Sequence, residues 1–347
     1  MALEKRVKAY FGDRPTQDHP VMYFKAALCI GGVALGYYWL VFNVESWPEG
    51  ILAGLCLAFS MIGVGFNVQH DANHGGFSRH RWVNRSLGFT LDLLGASSYF
   101  WADKHNHNHH VYTNESLEDA DIQLGGLARM SADHEWKPAH RYQHIYLWLL
   151  YCGIHVRYLY SDIQRLMFGK NDGLTAPYPK GAHMAALIGG KIFFVTVAFI
   201  IPMQYYSVGR VFGTYVAVSM VIGLVFGLVF QSAHSVDNVE HPVVSDGTKR
   251  AEWVVHQIRT TSNFATENRV LTFFFGGLNY QREHHLFPKI SHVHYPALST
   301  IVKDVCDEHG VKYCEFPTFT GAVLSHYRWV RSLRTVPAPA SFPATST

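Results

Sequence analysis

The chain has 347 residues, of which 29 Lys and Arg and 26 Asp and Glu make only 16% charged, against roughly 25% in a typical soluble domain. With 48% hydrophobic and 14% aromatic residues, it falls outside the disordered, collagen-like and disulfide-scaffold classes and reads as an integral membrane protein. A net charge of +3 is too weak a field to argue for a nucleic-acid partner. Five cysteines (Cys29, Cys56, Cys152, Cys306, Cys314) make no CxxC pair, so neither a disulfide framework nor a thiolate zinc site is indicated. The compositional anomaly is 22 histidines.

The N-terminal segment carries Lys5, Arg6, Lys8 and Arg14, and two apolar runs follow, Met22 to Phe42 and Ile51 to Val68. Each has about the length a helix needs to cross a hydrocarbon core roughly 30 Å thick. The turn between them holds Glu45 and Glu49 but no base, so the positive-inside rule places the N-terminus in the cytoplasm. A long amphipathic charged stretch before a run of spanning length does not have the layout of a cleaved signal peptide. Next, Ser86 to Tyr99 (with Asp92) and Ile145 to Leu159 (with Arg157) are short and broken by charge, which predicts interfacial or half-buried helices. A second pair of runs, Ile188 to Tyr206 and Val211 to Phe230, is joined by only Ser207 to Arg210, a tight helical hairpin. Lys191 is expected near the cytoplasmic end of the third run, its stem snorkelling to the interface.

The expected fold is therefore an all-α integral membrane protein with four transmembrane helices in two hairpins, at about 22–42, 51–68, 188–206 and 211–230. A cytosolic helical cap, about 69–182 and 231–334, completes a single domain over 1–334. The last stretch, 335–347, with Pro337, Pro339 and Pro343, reads as a flexible tail. Four crossings put both cap segments on the same cytoplasmic face as the N-terminus, in a bacterial inner membrane or a thylakoid or ER equivalent.

That face collects the histidines. His70 and His74 follow the second run at i and i+4, one helical turn apart on one face, a spacing that suits one metal. Taken alone, it equally describes two polar residues snorkelling at a helix end. In Asp103-Lys104-His105-Asn106-His107-Asn108-His109-His110, His105 and His109 have the same spacing with His110 beside them. His107 falls on the opposite side of the wheel, outside the first layer of ligands or in solvent. Crowded imidazoles repel once protonated and pack poorly, which argues against a merely solvated face. Gln281, Glu283, His284 and His285 form a third cluster, with Gln281 where another imidazole would be expected, and Gln231-Ser232-Ala233-His234 ends the fourth run at the depth of His70.

His70, His74, His105, His109, His110, His234, His284 and His285 thus give eight candidate metal ligands from separate segments on one membrane face. Eight nitrogens exceed one tetrahedral zinc site and fit two metals that each keep a position open. The affinity order does not name the metal. A site beside lipid has hydrocarbon as its substrate, however, and methylene C–H bonds lie beyond side-chain acids and bases, which favours iron with O2.

Three histidine boxes between two membrane hairpins, with His256-Gln257-Ile258-Arg259-Thr260-Thr261-Ser262-Asn263-Phe264-Ala265, Gly276-Gly277-Leu278-Asn279-Tyr280-Gln281-Arg282-Glu283-His284-His285-Leu286-Phe287-Pro288 and His292-Val293-His294-Tyr295-Pro296, resemble the membrane fatty acid desaturase family. The resemblance covers about 60–330 and is strongest to the front-end group, in particular the cyanobacterial Δ6 acyl-lipid desaturases. It implies that His70 to His74 form the first box, His105 with His109 and His110 the second, and Gln281 with His284 and His285 the third, with His234 as an extra ligand. It also implies O2-dependent removal of two vicinal hydrogens from an acyl chain by a non-haem di-iron centre, with two electrons supplied from outside.

The substrate would be a membrane lipid or an acyl-CoA, held so that one methylene pair is presented. Tyr99, Phe100, Trp101 and Phe274 are candidates to line its tunnel, as they are for ordinary interfacial packing. Asp71, Asp119, Asp121, Gln231, Gln281 and His107 are candidates to support the ligands or join them. No His-Pro-Gly-Gly haem segment precedes the first run, so ferredoxin or a free cytochrome b5 would bring the electrons. Arg79, His80, Arg81 and Arg85 form a basic patch that fits an acidic carrier or anionic lipid heads. Ligand spacing does not separate desaturation at Δ6 from Δ5 or Δ9, or from hydroxylation or acetylene formation. A histidine-rich metal transporter is disfavoured because its path would need ionisable residues inside the spans.

Overall fold

The computed structural model describes residues 2–169, 177–243 and 252–336, and these are predominantly helical. Helix α1 (Ala2–Phe11) buries Leu3, Val7 and Phe11, spaced four apart on one face. Helix α2 (Pro20–Phe42) starts where Pro20 occupies the first turn and His19 Nδ1 accepts from the Val21 N–H. Helix α3 (Trp47–His74) likewise opens with Pro48 and runs on through a π-helical turn at Gly65–Gln69 into His70–His74. Gly75, at φ +76°, ends it.

Helix α4 (Arg81–Gly88) and short turns at Thr90–Leu93 and Ser98–Ala102 replace the expected interfacial run. Helices α5 (Gln143–Cys152) and α6 (Ile154–Phe168) break at Gly153, the former packing on the fourth long helix where Tyr151 fills the space a side chain at Gly227 would need. The second hairpin is α7 (Ala182–Gln204) and α8 (Val208–His234). Helices α9 (Trp253–Thr260), α10 (Gln281–Leu286), α11 (Tyr295–His309) and α12 (Phe319–Ser332) complete the described chain. Two short parallel strands pair Asn263 with Glu315 and Phe264 with Phe316.

α2, α3, α7 and α8 are long and apolar enough to cross a membrane. Their outward faces leave Phe24, Leu28, Leu35, Ile51 and Ile192 exposed, the surface a bilayer covers. All four depart from the expected bounds, because proline and polar residues at the ends stay helical beyond the apolar run: α3 reaches His74 rather than 68, and α7 starts at 182 rather than 188. Lys191 does not snorkel to water. Its Nζ lies 2.6 Å from both Asp162 Oδ2 and the Gly95 carbonyl, so the ammonium is paired inside the protein. Beyond Val336 the expected tail lies outside the described residues.

One apolar cluster holds two of the long helices to the remainder, and a second ties the N-terminal helix to the C-terminal part of the chain. Ala58, Ile62, Phe66, Ile222, Val229 and Ala233 join α3 and α8 to Phe264, Phe275 and Leu278. Leu3, Val7, Phe11, Ile258, Leu286, Leu298 and Val302 join α1 to α9, α10 and α11. The backbone passes close at Gly276, which has φ +59° and whose missing Cβ would lie 2.3 Å from the Phe66 carbonyl oxygen. This contact seats the loop before α10 against the end of α3.

Candidate metal centre

The last turns of α3 and α8, the segment from Asp103 to Tyr112 and helix α10 converge, and all eight candidate imidazoles are buried there. Ligand atoms of His70, His74, His105 and His284 lie within 4.8 Å of one another, as do those of His109, His234 and His285. His110 adjoins both sets: its Nε2 is 3.3 Å from His105 Nε2 and 3.0 Å from His284 Nε2, and its ring stacks 4.1 Å from His285. His70 Nε2 is 3.2 Å from His105 Nε2.

His105 and His109 converge as expected, their rings stacked 5.3 Å apart and grouped with Asp121, although each also joins a different one of the two imidazole sets. Asp103–His109 forms a π-helical turn, in which the His110 N–H reaches back to the His105 carbonyl, five residues earlier. The widened turn also brings His110 against His105, with ring centres 4.8 Å apart.

The Nδ1 atoms of His109, His284 and His285 find hydrogen-bond partners, whereas those of His70, His110 and His234 have none. His109 Nδ1 lies 3.1 Å from each oxygen of Asp119, which is fully buried. His285 Nδ1 lies 2.8 Å from Gln257 Oε1, and Gln257 also accepts from Thr113 Oγ1 and donates to the His110 carbonyl. His284 Nδ1 faces the Tyr295 hydroxyl at 3.3 Å. With Nδ1 as the donor, each Nε2 presents a lone pair inward, the tautomer a metal requires.

Inward-facing nitrogens are then left facing one another, and His74 Nε2 and His285 Nε2 are buried with no hydrogen-bond partner. Neutral nitrogens at such spacing repel unless a proton or a cation lies between them. Separations of 3.0–3.3 Å are those of two nitrogens bound to one ion at about 2.0–2.1 Å. Burial and the neighbouring imidazoles hold His110, His284 and His285 well below the ordinary histidine range, so these rings are neutral, the form in which a histidine ligates a cation. Burial pushes His105 down to about 4 against the pull of Asp121. His109 is the exception; although burial lowers it, the carboxylates of Asp119 and Asp121 hold it above the ordinary value. The donor set therefore fits a metal site.

The remaining candidates divide. Asp121 lies 3.6 Å from His109 Nδ1 and 3.9 Å from His105 Nδ1, with Lys104 Nζ as its counter-ion at 2.8 Å, so it spans both sets from outside. Gln281 Nε2 lies 2.9 Å from His234 Nε2, and its Oε1 has no partner; the two orientations of an amide are interchangeable, so it offers either a donor or a ligand oxygen there. Trp101 stacks 4.4 Å from His105. His107 is 77% exposed beside Asp103. Asp71 pairs with His292, Gln231 accepts from Ser235 Oγ, and Tyr99 packs on His183 and donates to the Pro177 carbonyl. Phe100 is buried against Arg165, while Phe274 is 46% exposed. Gln257, Thr113 and Tyr295 gain a role only from the structure, although Gln257 and Tyr295 lie inside the stretches that carry the resemblance.

The fatty acid desaturase family matches residues 45–317. Over 336 residues the chain is 37% identical to the sn-1 linoleoyl-lipid 6-desaturase of Arthrospira platensis, covering 95% of this chain and 91% of that protein. The protein of the same name from Synechocystis sp. is also 37% identical, with 95% and 94% covered. The acyl-lipid (8-3)-desaturase of Physcomitrium patens is 33% identical, with 96% and 71% covered. A buried imidazole cluster at the ends of membrane-spanning helices and likeness along nearly the whole chain lead to one conclusion: this protein belongs to the fatty acid desaturase family and is a membrane oxidoreductase that desaturates fatty acyl chains.

Proposed function

We propose that this desaturase acts on acyl chains of membrane glycerolipids at the Δ6 position, with two irons and O2. Its likeness to the two cyanobacterial 6-desaturases supports the lipid carrier and the position. The single observation that carries the metal reading is the buried pair of imidazole sets, each with ligand atoms within 4.8 Å of one another and the first, with His110, holding facing nitrogens 3.0–3.3 Å apart. His70, His74, His105, His110 and His284 would hold one iron and His109, His234 and His285 the other, with Gln281 beside the second. Once bound, the irons supply an oxidant that takes hydrogen from an unactivated methylene. The balance is –CH2–CH2– plus O2, two electrons and two protons giving –CH=CH– and two waters.

The chain's own residues provide position and exclusion. Asp119, Gln257 and Tyr295 fix the ring planes, so the ligands need no reorganisation during reaction. Trp101 stacks over His105 and meets His70 at a steep angle, an apolar cover that would keep bulk water from the metals on that side. A largely apolar cleft of about 800 Å3 opens between the two hairpins, lined by Met61, Val64, Leu94, Gly213, Val218 and Val221. It suits the distal part of an acyl chain.

The described residues form one catalytic unit with the N-terminus and imidazoles on the cytoplasmic side. Electrons come from ferredoxin or a free cytochrome b5, and exposed Arg81 and Arg85 on α4, with Arg79 and His80 before it, offer an acidic carrier a basic surface. Expression in a host of known lipid composition tests the reading. A new double bond at the sixth carbon, with loss of two hydrogens, is expected. Unsaturation only at the ninth carbon or beyond overturns the position, and a product gaining one oxygen overturns desaturation. About two irons per purified chain are expected, and a zinc-only protein refutes the di-iron assignment.

A further inference from the structure

We infer that Lys25, acting through His292 and Asp71, is a positioning residue for the metal-binding turn His70–His74. Lys25 is the single charged residue of α2 and is 2% exposed. Its Nζ lies 2.7 Å from His292 Nε2 and 4.6 Å from the centre of the Phe273 ring. On the other side of the same imidazole, Nδ1 meets Asp71 Oδ2, and both of these residues are also buried.

The protonation states follow from the donors. An ammonium only donates, so His292 Nε2 accepts, its proton sits on Nδ1, and Nδ1–H donates to the Asp71 carboxylate. One positive and one negative charge cancel across a neutral ring. A lone charge of either sign would be costly in this setting, which ties the three groups together.

Asp71 stands between His70 and His74 on the turn that ends at Gly75, so no continuing helix braces it. His70 Nδ1 has no hydrogen-bond partner, unlike the Nδ1 of His109, His284 and His285, so its direction depends on how the turn itself is held. Besides the relay, Ser291 Oγ donates to the Gly76 carbonyl, and Gln17 Nε2 donates to the carbonyls of both Gly75 and Lys289, at 2.7 and 3.0 Å. The segment 289–292 is thus coupled to the turn through Gln17, Ser291 and His292, and Lys25 links both to a membrane-spanning helix.

The inference rests on the metal-centre reading, and metal binding, measured apart from turnover, separates the two. Lys25→Met is expected to weaken binding of Co2+, titrated into metal-free protein, by roughly 10- to 100-fold and to alter its visible absorption spectrum. His292→Phe should do the same. His292→Gln keeps an acceptor for Lys25 and a donor for Asp71 and is expected to restore near-normal affinity. Lys191→Met, which breaks the buried pair with Asp162 in the other hairpin, controls for general damage and should leave Co2+ affinity unchanged. Normal affinity and spectrum in both Lys25→Met and His292→Phe overturn the inference, as does equal metal loss in Lys191→Met or failure of His292→Gln to rescue. Wild-type protein that binds no metal would instead overturn the metal-centre reading itself.

Discussion

Asp119→Asn tests whether the groups behind the imidazoles govern metal binding. Three N–H donors converge on this fully buried carboxylate: His109 Nδ1 at 3.1 Å, the Asn114 amide at 2.8 Å and the Asp121 amide at 2.9 Å. Asparagine keeps the shape but replaces one oxygen by an NH2 group, so at least one donor loses its acceptor. Asp121, 3.6 Å from His109 Nδ1, is too far to substitute. An unsatisfied buried donor costs about 1–3 kcal/mol, and about 1.4 kcal/mol is a factor of ten, so affinity should fall about ten- to a hundredfold. Because His109 groups with His234 and His285, the loss should fall on the ion proposed there, leaving about one metal per chain in place of the two expected for the wild type. Elemental analysis and Co2+ titration read both numbers. Two tightly held metals in the variant, or equal loss of both, would refute the reasoning.

Gln257→Leu removes the acceptor of His285 Nδ1 and the donor to the His110 carbonyl, and should weaken metal binding about tenfold with the fold retained, as checked by Co2+ titration and circular dichroism. For metal-free protein, burial lowers His105, His155 and His326 to about 4 from an ordinary value of 6.5. The unfolded chain therefore takes up protons first, so stability is undiminished above pH 6.5 and falls as pH drops from there towards 4, by about 1.4 kcal/mol per pH unit for each such group. His109, raised, works in the opposite sense, its contribution being lost as pH rises through its folded value. Thermal unfolding in detergent should show the net acid destabilisation, and a melting temperature flat from pH 7 to pH 4 would contradict it. A side chain at Gly213 meets nothing within 4 Å and enters the cleft, so Gly213→Phe should depress turnover of longer acyl chains relative to shorter ones in a lipid assay. An unchanged chain-length profile would remove the cleft from the substrate path.

The apolar runs made four long helices legible, because spanning length and scarcity of charge are properties of composition. Their ends were not: α3 continues to His74 because its last turns pack against protein, where Phe66 and Val68 are buried, rather than stopping where the apolar run ends. Lys191 and Lys25 illustrate the same limit. Lys191 reads locally as a charge to be carried to the interface and Lys25 as an isolated charge in an apolar run, and each is paired through contacts distant in sequence, with Asp162 and His292. The eight histidines stood out by type, while Gln257, Thr113 and Tyr295 did not, since residues that orient a ligand are marked by geometry rather than by chemical class.

The histidine doublets carry information that i, i+4 spacing does not. Neighbours on an α-helix point about 100° apart, so one ion is served poorly by an adjacent pair and well by residues a turn apart, as His70 and His74 are. Two ions side by side invert this preference. His284 joins the set of His70, His74 and His105, while His285 joins that of His109 and His234. In the second doublet, His109 takes the latter set and His110 lies against His105 and His284. The doublets therefore reach both sets, with His110 also stacked on His285, and the π-helical turn before His110 supplies the rotation that regular helix would not. The adjacent pairs, more than the number of histidines, are what favour the proposed dinuclear centre.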